Sequence, residues 1–183
     1  ACLSGDSDGT GETTLATATC SCPEVKYTGS AGQTSCTACE SGKYQGSTGT
    51  TVCVEVLKGD YACLSGDSDG TGETTQATDT CACPTGKYTE SDGQTSCTDC
   101  EEGKYQANTG QATCQAAQQG YFASISDTAV TSAATGETQV AAGSYACNAA
   151  EGTPDGVGVT TLASGQCACP AGMYTGSAGQ TSC

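Results

Sequence analysis

A thirteen-residue loop bounded by cysteines, C-x2-G-K-Y-x4-G-x3-C in its fullest form, recurs five times in this chain. The copies span Cys22–Cys36, Cys39–Cys53, Cys83–Cys97, Cys100–Cys114 and Cys169–Cys183. A closed loop this short, punctuated by two glycines, leaves no room for a helix and folds as a small irregular hairpin. Leu, Ile, Val and Phe make up only roughly 8% of the chain, and with a formal net charge of −15 that composition alone would mark disorder. The sixteen cysteines outweigh it. Each closed loop removes about 3 kcal/mol of unfolded-state freedom, so no sizeable core is required. The expected fold is a set of small disulfide-rich repeats with short β-hairpins and little helix, strung into an elongated, rod-like tandem array.

Residues 1–61 and 62–122 align without a gap across the whole cysteine framework, a period of 61. The expected division is a first cysteine-rich repeat at 1–61, a second at 62–114, an Ala/Thr/Ser-rich cysteine-free segment at 115–145, and a partial third repeat at 146–183. Each repeat opens with a Gly/Asp/Ser turn region, followed by a Thr-rich stretch that can form a short strand (Thr13–Thr19 in the first). The cysteine-free segment is either a linker or one or two strands laid along a neighbour, and its length without other structure favours the strands. Tyr27, Tyr44, Tyr88, Tyr105 and Tyr174 are expected to cover the disulfides and pack on the next module. Because Val25 stands where Gly86 and Gly172 stand, that glycine reads as dispensable. Without a starting Met, the chain reads as a processed or partial segment of a longer one.

The repeats carry six, six and four cysteines, and residues two apart such as Cys20 and Cys22 do not bond each other. Pairing of sequence neighbours satisfies both facts: Cys2–Cys20, Cys22–Cys36, Cys39–Cys53, Cys63–Cys81, Cys83–Cys97, Cys100–Cys114, Cys147–Cys167 and Cys169–Cys183. An interleaved pattern such as Cys2–Cys22 with Cys20–Cys36 remains open, since six cysteines allow fifteen connectivities. Cysteine usage of this density belongs to an oxidising compartment, so the chain is expected to be extracellular, secreted or on the cell surface. No apolar run is long enough to span a bilayer, so no membrane insertion is expected from this segment. Five basic residues against twenty acidic ones argue against nucleic acid as a partner.

The pattern C-P-x-G-x-Y-x4-G-x3-C-x2-C resembles the ephrin-receptor-like cysteine-rich repeat. More loosely it is similar to the last loop of EGF domains and the first part of TNF-receptor modules. The likeness covers residues 20–53, 81–114 and 167–183. It implies a disulfide module and no particular activity, since such repeats occur in receptors, matrix proteins and surface coats. The Thr/Ala/Gly-rich background is similar to cysteine-rich surface antigens and flagellar-hair proteins of single-celled eukaryotes.

Three kinds of site chemistry fit particular residues. Cys20, Cys22, Cys36 and Cys39 have a zinc-compatible spacing, but zinc there would strand Cys2 and Cys53, and the chain has no His. Asp6, Asp8 and Glu12, repeated at Asp67, Asp69 and Glu73, place carboxylates at alternate positions before glycine turns, as calcium ligands are placed; a solvated acidic turn is the competing reading. Calcium is thus the one candidate cofactor. Thr13, Thr14, Thr17, Thr19, Thr50, Thr51, Thr74, Thr75, Thr78, Thr131 and Thr135 lie in tracts of the kind that accept O-linked glycans. Neither asparagine has the N-linked context. With no His, oxidised thiols and carboxylates in open turns, no catalytic residues are expected and the chain is not read as an enzyme. The leading expectation is a structural extracellular glycoprotein that self-associates as the repeat unit of a surface fibre, flagellar hair or coat. The alternative is the ectodomain of a receptor or adhesin that binds a protein or glycan.

Overall fold

A computed structural model describes residues 21–183 apart from 31, 32, 34, 74, 127, 131 and 149–155. Among the described residues there is no helix; every regular element is a short strand. The strands form antiparallel pairs in chain order: β1 (Lys26–Tyr27) with β2 (Thr37–Ala38), β3 (Lys43–Tyr44) with β4 (Val54–Glu55), and β5 (Asp60–Cys63) with β6 (Asp79–Ala82). They continue with β7 (Lys87–Tyr88) and β8 (Thr98–Asp99), then β9 (Lys104–Tyr105) and β10 (Gln115–Ala116). In the cysteine-free segment β11 (Tyr121–Ile125) pairs with both β12 (Thr128–Ala129) and β13 (Gly136–Gln139). The last pair is β14 (Ser144–Cys147) with β15 (Gly165–Ala168). The described residues divide into two compact units: those up to Cys83 together with Thr89–Cys97, and Pro84–Tyr88 together with Thr98–Cys183.

The same β-turn opens every module, and in all but the last it launches a strand. The N–H of the fourth residue donates to the carbonyl of the first at Lys26→Pro23, Lys43→Glu40, Asp60→Leu57, Lys87→Pro84, Lys104→Glu101, Tyr121→Gln118, Ser144→Ala141 and Met173→Pro170. The third residue has a positive φ, as a type II turn demands: 62° at Val25, then 78°, 93°, 80°, 73°, 79°, 82° and 88° at Gly42, Gly59, Gly86, Gly103, Gly120, Gly143 and Gly172. The structure therefore corrects the sequence reading of this glycine. Val25 does not relax the turn; it adopts the left-handed conformation that its Cβ disfavours, at a cost of about 1–2 kcal/mol.

Eight turns among the described residues also mean eight modules, three more than the cysteine loops. Val56, Ala117 and Val140 sit where the other modules have their leading cysteine, and all three are buried. Cysteine is among the most buried side chains even as a simple hydrophobe, so a small apolar residue fills the same seat.

The aromatics divide in a way the sequence reading did not anticipate. Tyr61, Phe122 and Tyr145, outside the cysteine loops, are the fully buried rings. Tyr61 packs with Cys63 and Cys83 beside Cys81 and Cys97, and so is a ring that covers cystines. Tyr44 is half-buried and packs on Val56, Ala62 and Ala77 of the following module. Phe122 packs on Val140, Ala146 and Ala163 in the same way. Tyr174 is 82% exposed. Each core thus holds three to four small residues and one ring, and the disulfides supply the remaining order.

Candidate functional site

The recurrent feature with functional weight is the junction between consecutive modules. The N–H at the leading position of one module donates to the carbonyl of the turn residue in the module before. This bond repeats at Cys39→Val25, Val56→Gly42, Cys83→Gly59, Cys100→Gly86, Ala117→Gly103, Val140→Gly120 and Cys169→Gly143, with N···O distances between 2.8 and 3.1 Å. It uses only backbone atoms, so it tolerates Cys, Val or Ala at the donor and Gly or Val at the acceptor. Turn glycines also pass close beneath a later loop. A Cβ on Gly42, Gly86, Gly103 or Gly120 would collide with the carbonyl of Gly93, Ala133, Leu162 or Gly179 respectively. At Gly143 and Gly172 a Cβ would meet nothing within 4 Å.

The residue after the aromatic sets how each junction is finished, a role the sequence reading missed. Where it is Thr, the side chain reaches back to the previous turn: Gly59 N–H donates to Thr89 Oγ1 at 2.7 Å, and Gly143 N–H to Thr175 Oγ1 at 2.7 Å. Each hydroxyl then donates onward, to the carbonyl of Asp60 at 3.2 Å or of Ser144 at 3.4 Å. Where it is Gln, the side chain closes its own loop. Gln45 Nε2 donates to the Val52 carbonyl and its Oε1 accepts from Ser47 N–H; Gln106 does the same with Thr113 and Asn108. Both glutamines and Thr89 are buried, so these are satisfied interior polar groups. The available signal was the alternation Tyr-Thr, Tyr-Gln at the same place in successive loops.

Seven disulfides are closed among the described residues: Cys22–Cys36, Cys39–Cys53, Cys63–Cys81, Cys83–Cys97, Cys100–Cys114, Cys147–Cys167 and Cys169–Cys183. No free cysteine remains among them. Cys2 and Cys20, and with them Asp6, Asp8, Glu12, Thr13, Thr14, Thr17 and Thr19, lie outside the described residues, as do Thr74 and Thr131. In the second acidic turn the carboxylates bond to their own backbone: Asp67 Oδ2 accepts from Leu64 N–H and Asp69 Oδ1 from Thr71 N–H. No three carboxylates or cysteines among the described residues gather into a set that could hold a metal ion, Asp67, Asp69 and Glu73 included. Of the described threonine candidates, Thr51 and Thr75 are exposed, Thr78 and Thr135 half-buried, and Thr50 buries its hydroxyl.

Lys43, Lys87 and Lys104 are each held against a carboxylate of their own module: Lys43 to Glu40 at 2.8 Å, Lys104 to Glu101 at 2.8 Å and Lys87 to Asp99 at 3.0 Å. The hydrogen bond from Lys43 lowers the Glu40 pKa and the bond from Lys104 lowers that of Glu101. Both pairs are solvent-exposed, so they tune local charge and add little stability. Burial raises the Asp60 pKa, against a hydrogen bond from Thr80.

The chain matches no protein-family model and no curated protein. Its disulfides and helix-free hairpins fit a cysteine-rich repeat of the EGF-like type. They point to an oxidising, extracellular or secreted setting. Among the described residues no helix is long and apolar enough to cross a membrane.

Proposed function

We propose that this chain is a structural glycoprotein, the repeat unit of a surface fibre, flagellar hair or coat. The observation that carries the reading is the backbone bond between leading position and preceding turn, made seven times with the same two atoms. A link of this kind contains no residue-specific stop, so modules add to modules whatever their side chains. Disulfides confined within modules support the same reading, because no staple ties one module to its neighbour. The exposed Thr51 and Thr75 hydroxyls are accessible acceptors for O-linked glycans, and the acidic surface opposes lateral clumping of exposed strand edges.

Negative-stain electron microscopy of the protein isolated from its source tests this. The fibre reading expects filaments that bundle once O-glycans are removed enzymatically. Discrete, monodisperse particles with unmodified threonine would contradict it and favour the ectodomain of a receptor or adhesin.

A further inference from the structure

We infer that the hairpin spanning residues 117–140 is a force-extensible element, the part of the described chain that opens and recloses under tension while the rest stays locked. The disulfides join consecutive cysteines, so a pulling force crosses each closed loop through its S–S bond. Only the residues between loops bear the load as free chain. Those stretches hold two residues at 37–38, nine at 54–62, one at 82, two at 98–99 and one at 168. Between Cys114 and Cys147 there are thirty-two, and they contain the hairpin of β11, β12 and β13.

This hairpin is the counterpart of those that carry Cys63–Cys81 and Cys147–Cys167. In those two, the disulfide runs diagonally across a ladder in which Tyr61 faces Cys81 and Tyr145 faces Cys167. In β11–β13 Phe122 faces Thr138, and the same diagonal joins Ser124 to Thr138. Their hydroxyl oxygens lie 2.7 Å apart, so a hydrogen bond stands where its relatives have a covalent bond. The direction of loading is also unfavourable. Tyr121 pairs with Gln139 at the hairpin's open end, and the tethers to Cys114 and Cys147 leave from that end. Tension there strains the ladder one pair at a time, not all pairs together. Beyond the ladder, Phe122 and Val140 pack on Ala146 and Ala163, and backbone bonds at Ala123→Ala163, Ala133→Cys100, Gln106→Ala134 and Gly179→Val140 tie the hairpin to neighbouring loops; all of these contacts are non-covalent. Opening breaks no covalent bond, so it reverses when the load falls. At ~3.6 Å per residue, releasing this stretch adds on the order of 100 Å of chain.

The test is single-molecule force spectroscopy on the full oxidised chain, held at its two ends. The expected trace shows one low-force extension on the order of 100 Å that recovers on relaxation. In air-oxidised S124C/T138C the gain shrinks by roughly two-fifths, because fourteen of the thirty-three inter-residue steps become locked. Hydrogen exchange of the unmodified protein gives a second readout that needs no variant. Amides of Tyr121–Ile125 and Gly136–Gln139 should exchange at least about tenfold faster than those of Asp60–Cys63 and Asp79–Ala82. No extension of that length before covalent rupture, an unchanged gain in the folded double variant, or equal protection in the two hairpins would each overturn the inference. The measurement is made on single chains, so it stands or falls apart from the fibre reading.

Discussion

Ser124 and Thr138 stand to each other as Cys63 stands to Cys81: the same diagonal across the same kind of hairpin, closed by a 2.7 Å hydroxyl contact in place of a disulfide. Ser124 is buried, so replacing it removes a hydrogen bond that water cannot fully restore. Ser124→Ala should lower stability by about 1 kcal/mol, read as a shift in the urea midpoint with unchanged slope. No measurable shift would mean that the hydroxyl pair contributes nothing to holding this hairpin.

The turn glycines should separate into two classes on substitution by alanine. Gly103 has a φ of 73° and lies under the Leu162 carbonyl, so a Cβ meets both an unfavourable conformation and an immovable backbone atom. Gly103→Ala should cost about 3 kcal/mol or more. Gly172 has a φ of 88° with nothing near its Cβ position, so Gly172→Ala should cost about 1 kcal/mol. Equal losses in the two variants, by chemical denaturation, would contradict the close approach described for Gly103.

Val25 predicts the opposite sign. Its φ of 62° is the conformation its seven counterparts hold as glycine. Val25→Gly should therefore be stabilising or neutral, by up to about 1 kcal/mol once the added freedom of the unfolded glycine is deducted. A clear loss of stability would show that the valine side chain contributes more through packing than its backbone strain costs.

Asp60 sets a pH dependence. Burial raises its pKa above 3.8, so the folded chain holds the proton more tightly than the unfolded one. Below 3.8 both states are protonated and there is no penalty; as pH rises through the elevated folded value, the penalty develops and persists at neutral pH. Asp60→Asn keeps an acceptor for the Thr80 hydroxyl, which lies 3.4 Å from Asp60 Oδ2. The variant should be the more stable protein at pH 7, with the difference closing below pH 3.8. A variant that loses stability at pH 7 would contradict the burial argument.

How much of this was legible in the sequence depends on which residues carried the signal. The cysteine loops announced hairpins at once, because a thirteen-residue ring with paired glycines has few other ways to close. The modules led by Val56, Ala117 and Val140 were hidden, since a search keyed to cysteine reads a buried Val or Ala as background. The spacing would have exposed them: Val25, Gly42 and Gly59 stand 17 residues apart, as do Gly86, Gly103 and Gly120. Phe122 and Val140 in the cysteine-free segment gave only a weak alternation. They form a module because Phe122 reaches Val140, Ala146 and Ala163, contacts between residues far apart in the chain. The Thr89 and Thr175 latches depend on where the preceding turn lies in space, which residue type alone does not encode.

The central claim is that each disulfide closes within one module and none joins two, leaving non-covalent contacts, the repeated backbone hydrogen bond among them, as the link from one module to the next. Proteolysis under non-reducing, thiol-blocked conditions followed by mass spectrometry tests it most directly. The account predicts linked peptides containing Cys22–Cys36, Cys39–Cys53, Cys63–Cys81, Cys83–Cys97, Cys100–Cys114, Cys147–Cys167 and Cys169–Cys183. A peptide joining Cys22 to any cysteine other than Cys36, or Cys81 to any other than Cys63, would contradict it.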